Sequence, residues 1–510
     1  MQFIIGLDIG TTHTKAIAQQ SDGVVVAVTS AGYLPITAPD GRYELDCEEL
    51  LQAVTNVLQQ LMQSLKQQGI AQAPSALAFS SAMHSLIAVD AQLHPLTNCI
   101  TWADLRSIEQ AERLRATDMA MELYRNTGTP VHAMSPLCKL IWIGETMPEL
   151  HRNAASFIGI KEYVMAHMTG ERIIDHSIAS ATGLFDIHNR SWFRPALALA
   201  GIDENRLFDP VSTDHIIQGI TEEWATCTGL PQNIKLIAGA SDGCLANIGS
   251  NALYPGDLSV TVGTSGAVRM LSDTPQTHPQ ASVFNYILDD EYFVCGGPLN
   301  NGGALLQWYA KQLLQRDVQA DTDMQWFFDE AATVPSGSDG LLFLPYVRGE
   351  RAPVWDAGAK AAFVGLDHRH TRAHEMRALI EGINYSICDI TDAVAQTAGS
   401  IQNVFLSGGI TRSPQWMQWL ANAMGKPLQV SGNADASALG AAILGWKALG
   451  HLKSLTDARD FFQVAHTYQP DRLTHQLHQQ FFSVYRNLYT SLQSSFKALQ
   501  TIRHTHNDFL

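Results

Sequence analysis

The chain has few basic residues: 33 Lys and Arg stand against 49 Asp and Glu in 510 residues, a formal charge of −16. A nucleic-acid partner needs basic stripes to neutralise phosphates, and that class is excluded. A small anionic ligand is not, because a few local cations suffice for it. Cysteine is scarce as well. Cys47, Cys99, Cys138, Cys227, Cys244, Cys295 and Cys388 stand singly, with no C-x-x-C spacing. Such a set fits buried thiols in a reducing cytoplasm. No run approaches the roughly 18–20 apolar residues that cross a bilayer. The N-terminus enters a strand at once, with no basic segment ahead of an apolar one, so no signal peptide is expected and the location is expected to be cytoplasmic.

Two nucleotide signatures are also missing. The only Gly-Lys pair, Gly425-Lys426, runs into Pro427 and lacks the upstream glycine of a phosphate-binding P-loop. No two glycines stand two positions apart, which removes the G-x-G-x-x-G dinucleotide fingerprint. Any nucleotide here is held by another device.

What is present is the composition of a compact protein, 46% hydrophobic and 16% charged. Its length exceeds what one core accommodates, so at least two large domains are expected. Residues 3–9 and 15–18 read as strands around a tight turn, and Asp22-Gly23 turns the chain into "VVVAVTS". From Glu48 to Gln67, Leu50, Leu51, Val54, Val57, Leu58, Leu61 and Leu65 recur at helical spacing. "SALAFSSAM" (75–83) is again a strand, and 107–115 a helix. This alternation predicts an α/β architecture. Residues 452–510 read as mostly helical and Gln-rich, without identifiable chemistry.

The opening "FIIGLDIGTTHTKA" (3–16) has an echo in "LSVTVGTSGAVRM" (258–270): strand, Gly-Thr turn, strand. Two such hairpins half a chain apart predict a duplicated domain with a cleft between the copies. We expect an N-terminal domain over 1–249 and a C-terminal one over 250–510. A Gly-Thr turn offers N–H groups and hydroxyls to phosphate oxygens. Asp8 would repel those oxygens unless a cation stood between, and Mg²⁺ is commonly held by one or two carboxylates plus phosphate. Alone, Asp8 would be read as the end of a strand; the matching turn Gly263-Thr264-Ser265-Gly266 favours the metal role. Asp242, in "LIAGASDGCLANIG" (236–249), is either a helix N-cap or a general base, and the two are compatible. "SSAMHSL" (80–86) and "TWADLRS" (101–107) gather His84, Trp102, Asp104 and Arg106, a set suited to a polyol although each is separately more often structural. "GGPLNNGGALLQW" (296–308) permits close approach of a ligand or another backbone.

Taken in order, these motifs resemble the FGGY carbohydrate kinase family of the actin/Hsp70-like ATPase superfamily, from Ile5 to about Gly450. "MSPLCKLIWIGE" (134–145) and "AFVGLDHRHTRAHEMRALIEG" (362–382) resemble its two signatures, although Glu375 stands where an apolar residue is usual. "LSGGITRS" resembles its adenosine-binding turn. The resemblance implies two ribonuclease-H-like domains closing over ATP and a sugar. It places Asp8 and Asp242 toward Mg²⁺, with Asp242 also the catalytic base. Thr11, Thr12, Lys15, Gly263 and Thr264 would meet phosphates, and Gly303, Gln307, Gly409 and Ser413 the adenosine. Met83, His84 and Trp102 match the family's sugar-contacting positions, and Asp104 and Arg106, from the polar set above, are expected on the sugar beside them.

Within the family, "SSAMHSLIAVD", "CITWADLRS" and "GTPVHAMSPLCKL" look like the bacterial members that act on gluconate. Arg269, just beyond the second phosphate turn, is then a candidate partner for the substrate carboxylate, as are Lys139, Lys161 and Arg106. The expected reaction is ATP-dependent phosphorylation of D-gluconate at its C6 hydroxyl. The alternatives are the same chemistry on D-xylulose or another pentulose, and a non-catalytic sugar- or ATP-binding regulator. Expected partners are the sugar acid and ATP, with a homodimer allowed and neither nucleic acid nor membrane involved.

Overall fold

The apolar run Phe3–Ile9 is buried almost throughout and becomes β1, a central strand of the first sheet. The computed structural model of the chain describes residues 2–316, 324–431 and 435–507. β1 pairs antiparallel with β2 (His13–Gln20), longer than the expected 15–18, and β2 pairs with β3 (Val25–Gly32). Helix α1 (Cys47–Gln67) begins at Asp46, whose carboxylate accepts from the N–H groups of Glu48 and Glu49, and packs Leu50, Val54, Leu58, Leu61 and Leu65 into the core. Strand β4 (Ala76–Ser81) then lies parallel to β1. After a largely helical insertion come β5 (Ile216–Gln218), β6 (Lys235–Ser241) and α2 (Asp242–Gly249). The sheet order is β5-β6-β4-β1-β2-β3.

The second half repeats the plan. β7 (Asp257–Val262), β8 (Gly266–Ser272), β9 (Phe284–Ile287) and β10 (Phe293–Leu299) lead into the short α3 (Gly303–Trp308) and the long α4 (Arg372–Ala398). Then follow β11 (Asn403–Ser407), α5 (Pro414–Met424), β12 (Leu428–Ser431), α6 (Ala436–Ala448), β13 (Val464–Tyr468) and α7 (Arg472–Asn507). The order here is β9-β10-β8-β7-β11-β12-β13. Three antiparallel strands followed by two parallel ones, β3-β2-β1-β4-β6, have their counterpart in β10-β8-β7-β11-β12. The two Gly-Thr turns therefore occupy equivalent corners.

Two local expectations change. β4 stops at Ser81, so His84 lies beyond the strand, in a left-handed conformation at φ 66°. The region after Leu452 is not only helical, because β13 adds an antiparallel edge to the second sheet. Helix α6, late in the sequence, packs against α2 and β1 of the first sheet. Its backbone comes so close that a Cβ on Gly6 would lie 2.1 Å from the Ala438 carbonyl oxygen.

Candidate active site

The second hairpin builds a cradle from backbone. Gly263 N–H donates to the Ser265 carbonyl at 2.8 Å, and Gly303 N–H donates to the Gly263 carbonyl at 2.7 Å, hanging α3 from the turn. On the far side Gly408, at φ 84°, turns β11 toward α5. Between them lies a cavity of about 530 Å³, lined by Gly263, Thr264, Gly303, Gln307, Gly409 and Ser413. Phe328 and Trp416 supply apolar walls. All six residues expected on ATP in this half thus share one cavity, of the size a small ligand needs. Ser413 has a structural task too, since its hydroxyl caps α5 by accepting from Trp416 N–H.

At the first hairpin, the Tyr33 hydroxyl holds the Gly10 carbonyl, and Gly10 N–H donates to the His13 carbonyl at 3.0 Å. Thr11 is half-buried and Thr12 exposed on the turn. Lys15 is committed: its ammonium meets the Asp435 carboxylate at 2.6 Å, just before α6.

The acids come next. Asp8 accepts from the Ser80 hydroxyl at 2.7 Å, and burial first, then the charge of Asp242, push its carboxyl up to about 7. Asp242 is the first residue of α2, but the cap is its neighbour: the Ser241 hydroxyl accepts from Cys244 N–H. The Asp242 carboxylate accepts from Gly243 N–H at 2.6 Å, and burial raises it against the opposing pull of Arg269. Two half-buried carboxylates that repel each other beside the phosphate hairpins form a donor set that fits Mg²⁺, a hard cation taking few carboxylates together with phosphate oxygens.

Around Asp242 lies the expected sugar end. A Cβ on Gly243 would come 2.6 Å from Met83 Cε and 3.2 Å from Arg269 Nε, so both side chains close over the start of α2. His84 Nδ1 stands 2.7 Å from the Ala181 carbonyl oxygen and therefore carries the proton, which leaves Nε2 toward Tyr286. Burial, then Lys139, lowers this imidazole to about 3, so it is neutral. Trp102 lies under the Arg351 guanidinium at 4.6 Å.

The cations sort themselves by partner. Arg106 bonds Asp104 at 2.8 Å and also Glu44, and its guanidinium covers Trp142; Asp104 further accepts from Tyr43 N–H. Asp104 and Arg106, expected on the substrate, thus satisfy each other inside the scaffold. Lys161 is buried against Asp175 at 2.6 Å. Lys139 donates to the carbonyls of His84 and Met134. Arg269 differs from all of these, because its Nε and Nη1 are buried without a hydrogen-bond partner. Ser80, Tyr286, Asn300, Glu350 and Arg351 were not singled out from sequence. A signal existed for the last two: "RGER" (348–351) sets three charges inside the apolar stretch "LLFLPYV…APVW".

With the hairpins, cavity and acids in place, the chain belongs to the FGGY family of carbohydrate kinases. That family's N-terminal domain matches residues 3–249 and its C-terminal domain 258–449. The chain is accordingly a sugar kinase of the actin/Hsp70-like ATPase fold. More particularly, it is 38% identical to the gluconokinase of Bacillus subtilis, over 92% of each chain. The xylulose kinase of the same organism is 28% identical, over 99% of this chain and 100% of its own. Among solved structures, the gluconate kinase of Lactobacillus acidophilus superimposes with a TM-score of 0.92 at 34% identity, covering 98% of this chain and 99% of its own. A ligand-bound xylulose kinase of that organism also gives 0.92, at 33% identity, covering 98% and 100%. The backbone therefore does not separate the two substrates.

Proposed function

We propose that this enzyme transfers the γ-phosphoryl group of ATP to the C6 hydroxyl of D-gluconate, giving 6-phosphogluconate and ADP. The observation that carries the substrate is Arg269. Its Nε and Nη1 are buried at the sugar end of the cleft without hydrogen-bond partners, where the other candidate cations are already engaged. Buried N–H donors without acceptors are costly, and a carboxylate-bearing sugar relieves them. The 38% identity to a gluconokinase supports the same reading.

The chain's own groups divide the work. ATP lies along the cavity between the β7–β8 turn and the start of α5, with Gln307 and Ser413 toward the adenosine. Backbone N–H groups and hydroxyls of Thr11, Thr12 and Thr264 hold the phosphates. Asp242 takes the proton of the C6 hydroxyl as that oxygen bonds to γ-phosphorus and the bond to the ADP oxygen breaks. Its raised pKa makes it a stronger base than an ordinary carboxylate. Asp8 and Asp242 would hold Mg²⁺, which when bound neutralises charge on the transferring phosphoryl oxygens. Met83, neutral His84 and Trp102 shape the sugar pocket. We assign the N-terminal domain to 1–249 and the C-terminal domain to 250–510. The cysteines are unbridged and all but Cys227 are buried, which suits a reducing compartment, and we place the enzyme in the cytoplasm.

A coupled assay with ATP, Mg²⁺ and a sugar panel tests this. Gluconate is expected to turn over with a kcat/KM at least about 10-fold above D-xylulose, since a hydrogen bond to a charged group contributes about 1.5–3 kcal/mol. Turnover of a ketopentose without gluconate overturns the proposal. Asp242→Asn is expected to lower kcat by about 10²–10⁴ while ATP binding by calorimetry stays within about threefold. Near-normal turnover removes Asp242 from the base role.

A further inference from the structure

Arg351 is a second guanidinium at this end of the cleft. It sits in the loop 347–356, where Glu350 and Asp356 exchange both backbone hydrogen bonds at 2.9 Å. That loop is held from several directions. The Glu350 carboxylate accepts from Asn300 N–H at 2.6 Å, from the Asn301 amide at 3.0 Å and from Arg351 N–H at 2.9 Å, so it is spent on backbone and amide groups. Behind the loop, the Tyr489 hydroxyl of α7 donates to the Asp356 carboxylate at 2.7 Å. From the N-terminal half, Arg115 donates to the Trp355 carbonyl at 2.6 Å. Arg351 itself donates from Nε to the Asn300 amide oxygen at 2.7 Å and lies over the Trp102 ring.

The result is a guanidinium whose plane is set before any substrate arrives. Trp102 comes from the first half of the chain and Arg351 from the second, so the stack spans the cleft. Burial lowers Arg351 to about 10 against the opposing pull of the Glu350 carboxylate, and Arg269 lies close enough to add a repulsion. Among the described residues, no carboxylate stands within ion-pair distance of either guanidinium. The imidazoles facing Arg351, His84 and His132, are both pushed down to about 3 by burial and carry no charge. Two cations and neutral imidazoles thus share this end of the cleft, the Asp242 and Glu350 carboxylates act on them only from beyond ion-pair distance, and Arg269 keeps two N–H donors without partners.

We propose that Arg351 and Arg269 are the two arms that read the substrate's carboxylate, with Arg351 fixing its orientation. Arg351 Nε donates to Asn300 and Nη2 to the Leu299 carbonyl at 3.4 Å, so Nη1 and the second N–H of Nη2 remain to pair with a carboxylate, a planar fork an ammonium cannot reproduce. This deepens the sugar-acid reading above and rests on it. It also supplies selectivity, because a neutral polyol leaves both cations unanswered.

The test compares wild type with Arg351→Gln, Arg351→Lys and Asn300→Ala in the full chain. The measured quantities are kcat and KM for D-gluconate, the competitive inhibition constant of D-glucitol (which replaces the carboxylate by a hydroxymethyl group), and the thermal midpoint. Arg351→Gln is expected to raise the gluconate KM about 10–100-fold, with a smaller change in kcat and a glucitol constant within about threefold of wild type. Arg351→Lys falls between. Asn300→Ala, which keeps the charge but removes the bond that sets the guanidinium plane, is expected to lower the gluconate-to-glucitol preference less than Arg351→Gln does. If gluconate and glucitol weaken together in Arg351→Gln, or neither weakens, Arg351 is scaffold and the inference falls. Should Arg351→Gln fail to fold, an unchanged preference in Arg351→Lys overturns it equally. Wild type that does not turn over gluconate overturns the underlying reading, and is seen without any variant.

Discussion

Ser241 and Asp242 show how adjacent residues divide two tasks that one aspartate could have combined. The serine hydroxyl caps α2, so the aspartate side chain need not, and its carboxylate stays at the cleft. A second acid is set up differently. Glu162 accepts from Gly159 N–H through one oxygen while the other is buried without a partner. Burial, then Asp175, pushes it up to about 7 from 4.5. The folded state therefore binds this proton more tightly than the unfolded chain does. Its contribution to stability is fully present below about pH 4.5 and is lost as pH rises through about 7. Thermal melts should show wild type losing stability from pH 5 to 8. Glu162→Gln is expected to flatten that fall by on the order of a few °C at pH 8. An identical slope in both proteins would assign the pH dependence elsewhere.

The β1–β2 hairpin and α6 meet at the level of elements. β1 is legible from its apolar run, and its turn from Gly-Thr-Thr, because both depend on residues a few positions apart. Its partner is not legible, since α6 comes from more than 400 residues later along the chain. Contact is close on both faces of that helix: a Cβ on Gly249 would lie 1.8 Å from the Ala436 carbonyl oxygen, as one on Gly6 would crowd Ala438. Backbone cannot yield to a methyl group as a side-chain tip can. Gly6→Ala is expected to destabilise by about 1–3 kcal/mol, and to lower kcat because α6 also holds the Asp242 carbonyl through Ser437. Denaturant unfolding alongside the kinase assay checks both; a fully stable variant would mean that α6 has room to move.

Across the whole molecule, the two halves of the sequence are joined by Lys15 from β2 and Asp435 at the start of α6. The pair is 40% and 20% exposed, so its stabilisation is small, about 0–1 kcal/mol. Its larger effect is on ATP, because it occupies the ammonium expected on phosphate and adds a negative charge nearby. Asp435→Asn is expected to lower the KM for ATP severalfold at low salt, with the gain shrinking as salt rises and the melting temperature nearly unchanged. A higher KM for ATP would show instead that Asp435 holds Lys15 in its working position. The duplicated α/β plan and the two hairpins were readable in the sequence alone, because each is a local pattern and the second copy corroborates the first; Gly303, Gln307, Gly409 and Ser413, which share one cavity, were reached only through the family resemblance. Sequence alone could not say which cations were free. Arg106 is claimed by Glu44, Lys161 by Asp175 and Lys15 by Asp435, over separations of 62, 14 and 420 positions. Arg351 reaches Trp102 only once both halves of the chain have folded. Electrostatic partners are chosen by distance in space and by burial, so the tertiary structure decided which positive charges were left for a substrate.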